Sequence, residues 1–298
     1  MGSKRPHLAS QWLAMPQCLV GIGSNLGDRA ALLESAVECL GAAAHTRVVR
    51  ASRWYRSLPI GGPPGQAAFL NGAVLVETSL DAPALLQFSQ AIEQRLGRQP
   101  NAPWSARPID VDLLLFESTI VATNELTVPH RWLAVRRFAL SPAAELVGDW
   151  IHPVLGWSIA RLLRQLDVTE PTFVGVGATS AVAREVDAQL ATLVPQIGGQ
   201  GAATSSVPNA ASPIEWVEYA EAETTLSGRF AAEAQPAELP RAVMVVATPG
   251  AAEPRQLLDW IVGTNRCPFV VSYSDDASDQ VRELVGAVLA TLPIEGAS

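Results

Sequence analysis

The chain has 298 residues, 48% of them hydrophobic, which is enough for two ordinary domains with a core each. It has neither the ~20 uncharged apolar residues of a bilayer-spanning helix nor the basic and apolar start of a secretory signal, so a cytoplasmic protein without a membrane partner is expected. The net charge of −8 is uneven: residues 1–170 hold 15 basic and 14 acidic side chains and residues 171–298 hold 6 and 15, arguing for a boundary near 170 and against a nucleic-acid partner.

Residues 1–14 show no period and are expected to form an N-terminal extension. Gln17–Gly23 reads as a buried strand that runs into the turn Ser24-Asn25-Leu26-Gly27-Asp28. Leu32, Leu33, Ala36, Val37 and Leu40 then recur at helical spacing, with Asp28 as the N-cap. Thr46–Tyr55 alternates as a strand, Leu58–Gly65 is a Pro/Gly-rich loop, and Phe69–Thr78 is a further strand. Leu85, Leu86, Ile92 and Leu96 mark a second helix ending at Gly97, and a proline-broken loop, Arg98–Pro108, leads into the strand Ile109–Phe116. The order β-α-β-β-α-β predicts an α+β domain over 15–168, with a ferredoxin-like antiparallel sheet covered on one face by two helices. Fold alone assigns no chemistry.

The chemistry-bearing residues cluster late in this domain. In Ile109-Asp110-Val111-Asp112-Leu113 the carboxylates stand two residues apart on a strand and project to one face, with the apolar residues on the other. Adjacent carboxylates repel unless a cation neutralises them, and oxygen donors suit Mg²⁺ shared with substrate phosphates. A bare D-x-D is more often the solvated side of a half-buried strand, so its neighbours decide. Arg98 and Arg107 bracket the preceding loop, and Arg136 and Arg137 follow; guanidinium groups match phosphoryl oxygens in shape and charge. His130 reads either as a phosphate donor or as a satisfied loop histidine, and Phe69, Asn71, Trp104 and Phe138 either sandwich a flat heterocycle or belong to a core. Lys4 is the only lysine, so no mechanism here uses a catalytic lysine in a folded domain, and three scattered cysteines indicate neither a disulfide framework nor a zinc site.

The run Gly21-Ile22-Gly23-Ser24-Asn25-Leu26-Gly27-Asp28-Arg29, then Tyr55-Arg56-Ser57, Phe69-Leu70-Asn71, Gly97-Arg98, Trp104, Arg107-Pro108-Ile109-Asp110-Val111-Asp112-Leu113-Leu114, Pro129-His130 and Arg136-Arg137-Phe138 together resemble the 6-hydroxymethyl-7,8-dihydropterin pyrophosphokinase family, from about Gln17 to about Leu166. The resemblance implies transfer of the β,γ-diphosphate of ATP to the hydroxymethyl group of the dihydropterin, giving AMP and a pterin diphosphate in folate biosynthesis. It also implies that Asp110 and Asp112 bind two Mg²⁺ ions, that Arg98 and Arg107 steady the phosphates, and that Gln90, Glu93, His130 and Arg136 belong to the ATP site. Ser57, Leu58, Ile60, Phe69, Asn71, Trp104 and Phe138 match the pterin pocket. Where the family has Arg-Trp-Gly-Pro-Arg and further arginines, this chain reads Gln99-Pro100-Asn101-Ala102-Pro103-Trp104-Ser105-Ala106-Arg107, so two auxiliary charges are missing and the loop is stiffer. The alternative is a protein that binds pterin and ATP with weakened catalysis.

Residues 169–298 are expected to form a smaller acidic α/β domain, with strands at Phe173–Gly177, Arg241–Ala247 and Phe269–Ser272. Its helices are expected at Ser180–Leu193, Arg255–Val262 and Ser278–Leu292, with a Gly/Ala/Ser/Pro-rich segment over 195–213. Phe173-Val174-Gly175-Val176-Gly177-Ala178-Thr179-Ser180 faintly resembles the phosphate-binding turn of P-loop nucleoside kinases but lacks the lysine that the motif needs. A noncatalytic domain serving association, including self-association, or stability is the expected role, with nucleoside phosphorylation the alternative.

Overall fold

The computed structural model describes residues 15–60, 63, 65–99, 105–167, 173–198, 214–217, 221–222, 226–227, 242–246, 268–272, 274, 276–291 and 294–296. Trp104, the helix expected at Arg255–Val262, the N-terminal extension and most of the segment 195–213 lie outside the described residues.

The chemistry of the first layer depends on which residues face which way. Strand β1 (Gln17–Ser24) is central, flanked by β4 (Phe69–Thr78) and β5 (Asp110–Phe116), both antiparallel to it. Strands β2 (Thr46–Ala51) and β3 (Tyr55–Ser57) pair one after the other along the free side of β4. The expected single strand Thr46–Tyr55 is therefore broken at Ser52–Trp54. There the Ser52 amide donates to Ala73 O (2.9 Å), the Ser52 hydroxyl donates to Arg53 O (2.8 Å), and Trp54 lies where a Cβ on Gly72 would stand.

Helix α1 (Arg29–Ala42) is N-capped by Asp28, whose carboxylate accepts from the Ala31 amide (3.2 Å), and buries Leu33, Ala36 and Leu40. Helix α2 (Ala82–Arg95) is capped likewise by Asp81 and buries Leu85 and Ile92. These side chains pack with Cys18, Val20 and Ile22 of β1, Val74 and Val76 of β4, and Ile109, Val111 and Leu113 of the last strand. Both helices thus cover the face of even-numbered β1 and β4 residues and odd-numbered residues up to Leu113. The other face carries Gly21, Gly23, Asn71, Asp110 and Asp112. Short strands β6 (Val121–Ala122) and β7 (Thr127–Val128) pair beyond this sheet.

After the 3-10 turn Leu133–Val135 come α3 (Arg137–Val147) and α4 (Ile159–Gln165). Strands β8 (Phe173–Val176), β9 (Ile214–Val217), β10 (Ala242–Val246) and β11 (Phe269–Ser272) form a parallel sheet in the order β11-β10-β8-β9. Strands β8 and β10 are buried along their whole length, as strands covered on both faces are. Helix α5 (Ser180–Gly198) buries Val182, Val186 and Leu190, and α6 (Ala277–Leu289) is capped by Asp276 and buries Val281, Leu284 and Val285. Strand β12 (Glu295–Gly296) pairs antiparallel with β3.

The chain divides into two units. One comprises 1–130, 141–153 and 294–298; the other comprises 131–140 and 154–293. No helix among the described residues is long and apolar enough to cross a membrane.

Candidate active site

Gly23 pairs with Asn71 on one side and Asp110 on the other, and Gly21 with Asp112, so these residues lie in rows across three strands on the uncovered face. Adjacent strands are ~4.8 Å apart, which sets Asn71 and Asp110 ~10 Å apart across β1. Glycine at 23 keeps the space between them open: a Cβ there would stand 3.0 Å from Asn71 Oδ1. Asn71 is fixed in turn, its Nδ2 donating to Ser57 Oγ (2.9 Å), while Phe69 and Tyr55 flank the pair on the same face.

The cationic side of the site follows from how α2 ends. Gly97 adopts φ +94°, the Gly97 amide donates to Gln94 O (3.1 Å), and the Arg98 amide donates to Glu93 O (2.9 Å). That double bond is the glycine-terminated Schellman cap, and it turns Arg98 back over the last helical turn. Its guanidinium pairs with Glu93 and reaches Asp110 Oδ1 (2.5 Å). Glu93 also accepts the Val111 amide on Oε1 (2.8 Å), so one carboxylate ties the helix end to the acidic strand.

Arg107 is placed from the other direction. The Asn25 side chain accepts the Arg107 amide (2.8 Å) and the Asn25 amide donates to Arg107 O (3.2 Å), clasping the end of the proline-rich loop to the turn after β1. The Arg107 guanidinium then meets Asp110 Oδ2 at 3.1 Å. Each oxygen of Asp110 thus faces one arginine. The Arg107 Nε is buried without a partner among the described residues.

Burial pushes the Glu93 carboxyl above the ordinary glutamate value, against the lowering effect of the Val111 amide and Arg98. Burial opposes the charge on Arg98, but Asp110 and Glu93 outweigh it and Asp112 adds to them, so its guanidinium is held charged more firmly than usual.

Of the remaining residues singled out from the sequence, Gln90 is exposed one turn before Glu93 on α2. His130 follows the cis Val128–Pro129 bond, and its amide donates to Leu114 O (2.9 Å), two residues beyond Asp112. Leu58 is exposed and Ile60 half-buried in the segment after β3. Arg136 and Phe138 belong to the second unit, where the Arg136 guanidinium stands 5.6 Å from the Phe138 ring centre and 5.7 Å from that of Trp132. The roles of Asn25 as a clasp and of Glu93 as a strand tie were not read from the sequence. Asn25 lies within a motif and Glu93 was expected only in the ATP site, and the bonds they make span 82 and 18 positions, for which no local pattern exists.

Two carboxylates on one strand beside two converging arginines, with Asn71 and Phe69 on the same face across β1, make a site suited to an anionic, phosphate-rich ligand next to a flat polar one. The chain belongs to the 7,8-dihydro-6-hydroxymethylpterin-pyrophosphokinase family, whose model matches residues 19–148. Curated relatives named 2-amino-4-hydroxy-6-hydroxymethyldihydropteridine pyrophosphokinase include that of Methylorubrum extorquens, 40% identical over 153 residues, spanning 51% of this chain and 95% of that protein. The Synechocystis protein of the same name is 38% identical over 151 residues, spanning 51% and 76%. That of Bacillus subtilis is 41% identical over 127 residues, spanning 43% and 75%.

Proposed function

We propose that the protein transfers the diphosphate of ATP to 6-hydroxymethyl-7,8-dihydropterin, giving AMP and the pterin diphosphate used in folate biosynthesis. The observation that carries this reading is the shared face of Asp110 and Asp112, with Arg98 and Arg107 on the two oxygens of the first carboxylate.

The donor set fits Mg²⁺, which is ordinarily held by one or two carboxylates together with substrate phosphates rather than by a larger protein cage. Asp110 and Asp112 would hold the two ions, and the orphaned Arg107 Nε supports a phosphate oxygen beside them. When bound, Mg²⁺ neutralises the triphosphate and polarises its bridging oxygens. The chain's own residues bind and orient. Arg98 and Arg107 stabilise the oxygens of the moving diphosphate, while Gln90, Glu93, His130 and Arg136 form the nucleotide side. Asn71, fixed by Ser57, reads the edge of the pterin with Phe69 on the same strand face, and Leu58, Ile60, Trp104 and Phe138 are assigned to the same substrate by their match to the family's motifs. In such an in-line displacement, positioning and charge supply most of the acceleration, so no nucleophilic side chain and no lysine is required.

The first layer is read as a ferredoxin-like domain, residues 15–168, and the rest as a smaller α/β domain, in a cytoplasmic enzyme whose partners are its small-molecule substrates. Purified protein given ATP, Mg²⁺ and hydroxymethyldihydropterin is expected to release AMP in step with pterin diphosphate. Binding of both substrates without AMP would replace this reading by that of a binding protein.

A further inference from the structure

Arg137 stands between two residues that the pyrophosphokinase reading assigns to substrates, and each nitrogen of its own guanidinium is engaged elsewhere. Its Nε donates to Thr291 O (3.0 Å), Nη2 to Leu166 O (2.7 Å) and Nη1 to Asp167 Oδ1 (2.7 Å), while its amide donates to Ala290 O (2.9 Å). Leu166 is the C-cap of α4 and Ala290 that of α6. One buried cation therefore satisfies carbonyls at the C-terminal ends of two helices, where the exposed carbonyls and the helix dipole both favour positive charge. A second tie lies just upstream: Arg131 Nη2 pairs with Glu283 Oε1 of α6 at 2.6 Å and its guanidinium lies 5.0 Å from the Trp132 ring centre. All these residues fall in one unit, in which 131–140 groups with 154–293 rather than with the strands before it. Independently, Glu295–Gly296, a few residues past α6, pairs with Tyr55–Arg56 at the strand carrying Ser57.

We propose that the C-terminal region serves the reaction as a positioning scaffold: through Arg137 it clamps the segment bearing Arg136 and Phe138, fixing the nucleotide and pterin contacts those residues make. This rests on the pyrophosphokinase reading. Arg137 is a positioning residue, because it acts through its two neighbours. Loss of the clamp weakens binding of both substrates and leaves the chemistry of Asp110, Asp112, Arg98 and Arg107 in place.

The test is steady-state kinetics on the full chain with Arg137→Ala, Arg137→Lys and, as a control on the same α6 helix, Arg282→Ala, which removes only the exposed pair with Asp279. Arg137→Ala is expected to raise KM for both substrates about tenfold with kcat within about threefold, Arg137→Lys to recover part of it, and Arg282→Ala to change neither. Amides of 136–140 should exchange with solvent faster in Arg137→Ala while those of β1, β4 and β5 keep wild-type rates. If the alanine variant does not fold, the lysine variant reads the same split in KM and kcat. Unchanged KM values, or faster exchange spread evenly over the chain, overturn the proposal. A wild-type protein that forms no AMP sinks the pyrophosphokinase reading alone, and the exchange pattern then decides the clamp.

Discussion

At the scale of single residues, the site is held by a few polar groups that each do two things. Glu93 accepts the Val111 amide and pairs with Arg98; Asn25 accepts the Arg107 amide and donates its own to the same residue's carbonyl. Such double use leaves little freedom in the two arginines. A different buried group governs acid stability. His152 is 6% exposed, and burial lowers its imidazole from the ordinary value of 6.5 to about 4. Between those values the unfolded chain binds the proton and the folded chain does not, so stability is complete above pH 6.5 and is lost as pH falls toward 4. The loss attributable to this residue is up to about 3 kcal/mol. Unfolding midpoints measured across that range should fall more steeply for wild type than for His152→Gln; equal slopes would show that the imidazole is not the cause.

At the scale of elements, the position of Arg98 depends on one glycine. Gly97 has open space around an added Cβ, so replacing it meets no clash, yet its φ of +94° disfavours any L side chain. Gly97→Ala should cost about 1 kcal/mol of stability and lower kcat/KM by about tenfold or more as Arg98 shifts off Asp110. Wild-type kinetics in this variant would mean that the helix cap does not set the arginine. The helix end at this glycine was legible in the sequence, as were α1, α2 and the outward pairing of Asp110 with Asp112, because capping residues and the two- and 3.6-residue periods are local signals. The break between β2 and β3 was not, since it is imposed by Trp54 packing over Gly72 of another strand. Neither was β12, two residues long and recognisable only by its partner. Arg137 was grouped in the sequence with the arginines suited to phosphate, whereas its guanidinium binds Thr291 O, Leu166 O and Asp167, acceptors 29 to 154 positions away that no local pattern reveals.

At the scale of the whole molecule, the matched family covers residues 19–148, yet the unit containing Arg136 and Phe138 is built mostly from residues beyond 153. The acidic balance of residues 171–298 is therefore carried by the same unit that holds two of the proposed substrate contacts. The proposed catalysis lies in the other unit, on the strand face that carries Asp110 and Asp112. The most direct test exchanges one carboxylate for its neutral isostere. In Asp112→Asn, with folding verified by an unchanged unfolding midpoint, AMP formation from ATP and hydroxymethyldihydropterin in the presence of Mg²⁺ should drop at least about 100-fold. Turnover within about twofold of wild type would contradict the account.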